Sequence, residues 1–70
     1  MPAFSPDLIQ TMRAALEEVM TKVPLEQATS SVKAHVAECI LKAAAQGQTS
    51  YESLIAAATA RLQTILAMFT

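Results

Sequence analysis

Residues 40–55 read Ile40-Leu41-Lys42-Ala43-Ala44-Ala45-Gln46-Gly47-Gln48-Thr49-Ser50-Tyr51-Glu52-Ser53-Leu54-Ile55, and this stretch decides the fold. An alanine-rich helical run ends at Gly47, the only glycine of the chain. Glycine is the natural residue just past a helix, because the left-handed conformation needed there costs it nothing. Two residues later a second helix opens. Thr49 and Glu52 have the spacing of a capping box, hydroxyl at the cap and carboxyl three residues on. The connection is therefore short, and the two helices must pack as neighbours.

Working toward the N-terminus, the helix that Gly47 closes runs over about 31–46. Thr29-Ser30-Ser31 offers three hydroxyls for its cap, with Ser30 favoured. Its apolar stripe is Val32, Val36, Cys39, Ile40 and Ala43, and Ala37, Leu41, Ala44 and Ala45 widen it beyond what one partner covers. Glu38 and Lys42 form an i,i+4 pair of the better orientation. Further upstream, Ser5-Pro6-Asp7 starts another helix: Ser5 caps, Pro6 suits the first turn, and Asp7 complements the positive helix end. Phe4 and Ile9 stand at the positions of a hydrophobic staple. This helix, about 6–22, carries Leu8, Ile9, Met12, Ala15, Leu16, Val19, Met20 and Val23 as its apolar set. Pro24 disfavours helical geometry at the residue before it. Residues 24–27 can form a short turn that tucks Leu25 inward.

Downstream, the helix over about 50–68 spaces Tyr51, Ile55, Ala58, Leu62, Ile65 and Phe69 alternately by four and three, as in a coiled-coil seam. Leu54 and Leu66 flank that seam. Ser53, Ala57, Ala60, Thr64 and Ala67 form a second, small row. The fold class is all-α: one domain of three amphipathic helices, a bundle completed by homo-oligomerisation. Helix 3 is the expected subunit contact, through Ile55, Leu62, Ile65, Leu66 and Phe69, and a dimer is the favoured state.

Length and composition bound the reading. Seventy residues make one domain, and such a chain buries only about 60% of its unfolded surface, so it is marginal alone. Cys39 is the only cysteine, which excludes an internal disulfide, and the ligands for a four-coordinate zinc site are too few. Helix packing and oligomerisation remain as sources of stability. Charged residues make up 16% of the chain against the usual level of about 25%. The net charge is −1 with no run of like charge, so a nonspecific nucleic-acid surface is not expected. Met1-Pro2-Ala3-Phe4-Ser5-Pro6-Asp7 has neither the basic nor the apolar part of a signal sequence. The most apolar stretch, 54–69, is interrupted by Arg61 and Gln63 and is short for a bilayer. A free cysteine suits a reducing compartment, and a cytoplasmic location without membrane contact is expected.

Chemistry-bearing residues are sparse. His35 and Cys39, four apart on helix 2, face the same way and could make half of a metal site. The plainer reading puts Cys39 in the core and His35 at its edge. Glu17 and Glu18 are adjacent on a helix and point about 100° apart, so they cannot act as a carboxylate pair. Cys39, His35 and Glu38 lie on one helix, whereas catalytic triads converge from separate segments. No catalytic residue, metal site or cofactor is expected. Met12 and Met20 lie on the apolar stripe of helix 1, where core packing is their expected role.

Helix 2, Gly47 and helix 3 also pose the question of a helix-turn-helix. Ala43 stands four before Gly47, as that motif has it, but Ser53 occupies the place of its apolar residue. The would-be recognition helix exposes Glu52, Ser53, Ala56, Thr59 and Gln63 with Arg61 as its single cation, where base readout needs Arg, Asn or Gln near the helix start.

Phe4-Ser5-Pro6-Asp7-Leu8-Ile9, Arg13-Ala14-Ala15-Leu16-Glu17-Glu18 and Ile40-Leu41-Lys42-Ala43-Ala44-Ala45-Gln46-Gly47 together resemble a group of short uncharacterised helical proteins of rhizobia and related α-proteobacteria, over roughly residues 4 to 60. The resemblance implies a small all-helical protein and no assigned activity. The expected function is a self-associating protein-interaction or regulatory module. The alternatives are a dimeric helix-turn-helix-like DNA-binding regulator and a carrier of a small apolar ligand.

Overall fold

The computed structural model describes residues 4–69. It contains three α-helices, α1 (Pro6–Met20), α2 (Ser30–Ala45) and α3 (Tyr51–Ala67), with a single 3-10 turn at Leu25–Gln27 between the first two. No strand occurs among the described residues. The all-α, three-helix expectation holds. Residues 1–3, which carry part of the signal-sequence reading, and Thr70 lie outside the described residues.

Each helix starts on a side-chain cap. Ser5 accepts from the Leu8 amide at 3.1 Å, and Pro6 follows it in the first turn, as its sequence suggests. The other two caps differ from expectation by one residue. Thr29, not Ser30, caps α2 by accepting from the Val32 amide at 3.2 Å. Ser50, not Thr49, caps α3, so the Thr49–Glu52 capping box does not form. Ser50 Oγ accepts from the Ser53 amide at 3.1 Å, and Ser53 Oγ donates back to the Ser50 carbonyl at 3.0 Å. A run of hydroxyls permits several caps of similar strength. The inward direction of the apolar stripe then selects among them.

Gly47 has φ +100°. Its amide donates to the Ala44 carbonyl at 3.1 Å and that of Gln48 donates to Ala43 at 3.0 Å, the paired bonds of a Schellman motif. A Cβ at Gly47 would meet nothing within 4 Å. Gly47→Ala therefore isolates the backbone cost. We expect a loss of about 1–2 kcal/mol, or a drop in Tm of very roughly 4–16 °C, read by thermal circular dichroism at fixed concentration. A loss near zero would mean that the turn re-forms without the left-handed residue.

The first connection starts earlier than expected. α1 stops at Met20, with Thr21 as C-cap, two residues before the expected end. Val23, adjacent to Pro24, fills the inward position and is buried. The 3-10 turn that follows closes through Gln27 N–H to the Pro24 carbonyl at 2.8 Å. It sends Leu25 outward at 90% exposure, which corrects the expectation that Leu25 tucks in.

All three helices pack against one another. Glu17 of α1 pairs with Lys33 of α2 at 3.5 Å, and His35 of α2 meets Phe69 beyond α3. The end of α1 thus meets the start of α2, and the start of α2 meets the residue past the end of α3, as short connections require of antiparallel neighbours. The core is Met12, Ala15, Val19 and Val23 from α1 and its end, Val32, Val36, Ile40, Ala43 and Ala44 from α2, and Leu54, Ala58, Leu62 and Ile65 from α3. Four of these are alanines, so the helices approach closely but bury little side-chain volume. No polar or charged side chain is buried among the described residues.

Candidate functional site

A groove of about 320 Å³ lies between α1 and α2. Phe4, Ile9, Met12 and Leu16 form one wall, Ala37, Ile40 and Leu41 the other, with Arg13 beside them. Its existence follows from residue size. Ala37 is the small residue on the α2 side, and the larger groups around it stand off from one another. Met12 and Ile40 are buried and form the floor, while Ile9 and Leu41 stand on the walls at 44% and 47% exposure. Phe4 and Ile9, the staple pair, line it together at the start of α1. Arg13 has no ion-pair partner among the described residues; its methylenes extend the apolar wall while its charged head can remain in water. The groove is open to solvent along its length rather than enclosed.

The five residues expected at a helix 3 contact divide among three environments. Leu62 and Ile65 are buried in the chain's own core. Ile55 and Leu66 are half-buried and pack against that core. Phe69 is 43% exposed and touches the His35 ring edge-on, with centroids 5.2 Å apart. Helix 3 thus spends Leu54, Leu62 and Ile65 inside the monomer. The exposed walls of the α1–α2 groove, Ile9 and Leu41, were signalled only by the excess width of their apolar stripes.

His35 and Cys39 are both half-buried. His35 Nδ1 lies 2.9 Å from the Ser31 carbonyl, an acceptor, so the proton sits on that nitrogen. Cys39 is half-buried and packs against the edge of the core rather than within it, where it was expected; its outer side opens into a second, smaller cleft between α2 and α3. Among the described residues no three His, Cys, Asp or Glu side chains come together as a metal-ligand set. No described helix is long and apolar enough to cross a membrane. Along α3, Glu52, Ala56, Thr59 and Gln63 are exposed, with Arg61 as the one cation of that helix. No family model, curated protein or solved structure matches the chain.

Proposed function

We propose that this chain is a protein-interaction module that works as a homodimer, two copies meeting face to face through the α1–α2 groove. The observation that carries the reading is the groove itself: seven apolar side chains around one cation, with two large aliphatic residues half exposed on its walls. Contiguous apolar surface of this kind marks an interface. The choice of a second copy rests on three further features. The core is thin, and short chains with thin cores gain stability by association. The net charge of −1 lets two copies approach with little repulsion. Twofold packing places each exposed wall residue twice in the contact, which is the common solution for soluble homo-oligomers. The open shape of the groove fits an opposing helix better than a small apolar ligand, which favours an enclosed pocket. Kinship with the short α-proteobacterial proteins and a cytoplasmic location, supported by the free Cys39, belong to the same proposal.

The test is light scattering coupled to size exclusion over a hundredfold concentration range, on the natural chain and on Leu41→Glu. Leu41 is half exposed already, so the substitution leaves the core alone. Covering Leu41 contributes about 1 kcal/mol per copy, and its loss in both copies weakens the dimer on the order of 30-fold before the buried carboxylate adds its own cost. The expected result is a dimer that the substitution converts to a helical monomer. A natural chain that is monomeric throughout, or a Leu41→Glu dimer of unchanged strength, would overturn the reading.

A further inference from the structure

Leu25 is the most exposed large apolar side chain among the described residues, at 90% against 44% for Ile9 and 47% for Leu41. A leucine left singly on a surface needs no explanation by itself. Here the backbone holds it out. Pro24 fixes the entry to the turn, Gln27 N–H donates to the Pro24 carbonyl at 2.8 Å, and Ala28 N–H donates to the Leu25 carbonyl at 3.2 Å. A side chain presented on a closed turn loses little further freedom when it is covered. The next residue, Glu26, is exposed and makes no ion pair among the described residues. The turn thus presents one apolar group followed by one unpaired carboxylate.

The α1–α2 groove presents the complement. Its walls are apolar, Arg13 stands beside them, and no carboxylate lines it. Arg13 is exposed, and Glu17, the carboxylate four residues on in the same helix, is engaged by Lys33 at 3.5 Å. The groove volume of about 320 Å³ is that of roughly ten water molecules, more than one leucine side chain needs. The turn cannot reach this groove in its own chain. It follows the far end of α1, and Met12 on the groove floor lies about 12 Å along the helix from Met20. A second copy can reach it. The turn joins the same two helices that form the groove, so both features belong to the α1–α2 side of an elongated molecule. Two copies lying antiparallel on that side bring each turn over the other's groove, and one twofold axis generates both contacts.

We propose that Leu25 of each copy enters the α1–α2 groove of the other, with Glu26 set against Arg13 of the partner subunit. The proposal rests on the homodimer reading above and names what fills the groove. A projecting leucine with a carboxylate beside it, matched to an apolar recess with an unpaired cation beside it, carries the proposal. The match also fixes the register of the pair. A slide of one helical turn, about 5 Å, would withdraw the leucine and separate the charges. An apolar residue that the chain's own core does not use is thereby covered in the assembly.

Dimer strength is measured by light scattering coupled to size exclusion, and helicity by far-UV circular dichroism. Leu25→Ala touches no core group and should keep the fold. In an open groove leucine exceeds alanine by about tenfold per site, and two sites per dimer make the expected weakening on the order of 100-fold. Glu26→Arg and Arg13→Glu, made singly, should each weaken the dimer by about three- to tenfold, since two opposite-charge contacts become like-charge contacts. Mixed in equal amounts, these two variants should form a heterodimer of near-natural strength, because each contact in it again joins opposite charges. Glu52→Arg, at the start of α3, changes the net charge as Glu26→Arg does and should leave the dimer at natural strength. A dimer that Leu41→Glu dissociates but that Leu25→Ala leaves unchanged would overturn this inference and keep the homodimer reading. So would charge variants that do not recover on mixing. A natural chain that is monomeric throughout would overturn both.

Discussion

Leu62→Asp should abolish folding. Leu62 is 8% exposed and sits among the apolar side chains of all three helices. Its replacement removes a buried leucine, which costs about 2–5 kcal/mol when the site cannot collapse. It also places a carboxylate where no buried polar group exists to receive it, adding several kcal/mol. A 70-residue domain has a total stability on the order of 3–10 kcal/mol. The two losses together equal or exceed that sum. Far-UV circular dichroism at 25 °C should show a largely unfolded chain, whatever the protein concentration. Retained helicity with loss of association alone would place Leu62 at the subunit contact instead, and would move the interface from the α1–α2 groove to α3. The contrast with Leu41→Glu, which should keep the fold and lose the dimer, separates the core from the proposed contact.

Leu54→Ala should cost about 2–5 kcal/mol, while Tyr51→Ala should cost less than about 1 kcal/mol. Leu54 is fully buried and is one of the largest side chains of the core. Tyr51 is 41% exposed in the first turn of α3. Alanine at Leu54 leaves a cavity between α3 and its neighbours, and the alanines of the same core, Ala15 and Ala58 among them, have only methyl groups with which to fill it. Urea unfolding at one protein concentration measures both variants, the midpoint shifting with little change in slope. Equal effects at the two positions would mean that α3 is rotated toward the register its spacing suggests. A strong loss at Tyr51 alone would mean that the helix packs on its Tyr51 side.

These two residues also mark where sequence reasoning stops. The spacing of four and three in α3 correctly places Ala58, Leu62 and Ile65 inward. It extends the same seam to Tyr51 and Phe69, which stand at the two ends of the helix and are exposed at 41% and 43%. Periodicity reports direction around a helix axis. It carries no information on where the neighbouring helices begin and end, and the first and last turns of a bundle helix run out of neighbours. Leu54, reckoned as a flank, is fully buried because two helices cover α3 and the covered arc is wider than one seam.

The candidate groove was legible only in part. Ile9, Met12 and Leu16 read as one stripe of α1, and Ala37 and Leu41 as the widening of the stripe on α2. Nothing in either pattern says that α1 and α2 leave a gap between those residues. A gap is a property of two surfaces, set by Ala37 against the larger groups facing it. Cys39 carries the same lesson. Its place on the apolar stripe suggested the core, but that stripe spans more than the buried face, and Cys39 packs at the core's edge, half-buried, where α3 offers Ala57 and Arg61.

The sequence by itself determined the number of helices, their order, their approximate limits and most of the inward-facing residues. Those features rest on interactions within a few residues: a hydroxyl over a helix start, a glycine past a helix end, a proline that stops a turn, apolar groups repeating every three or four positions. Tertiary structure alone decided which hydroxyl caps α2 and α3, that Leu25 turns outward, that Leu62 and Ile65 belong to the monomer's core, and that two clefts flank α2. Each of those outcomes depends on the fit between surfaces far apart in the chain. Local propensity leaves such alternatives nearly equal in energy, and burial against a particular neighbour separates them.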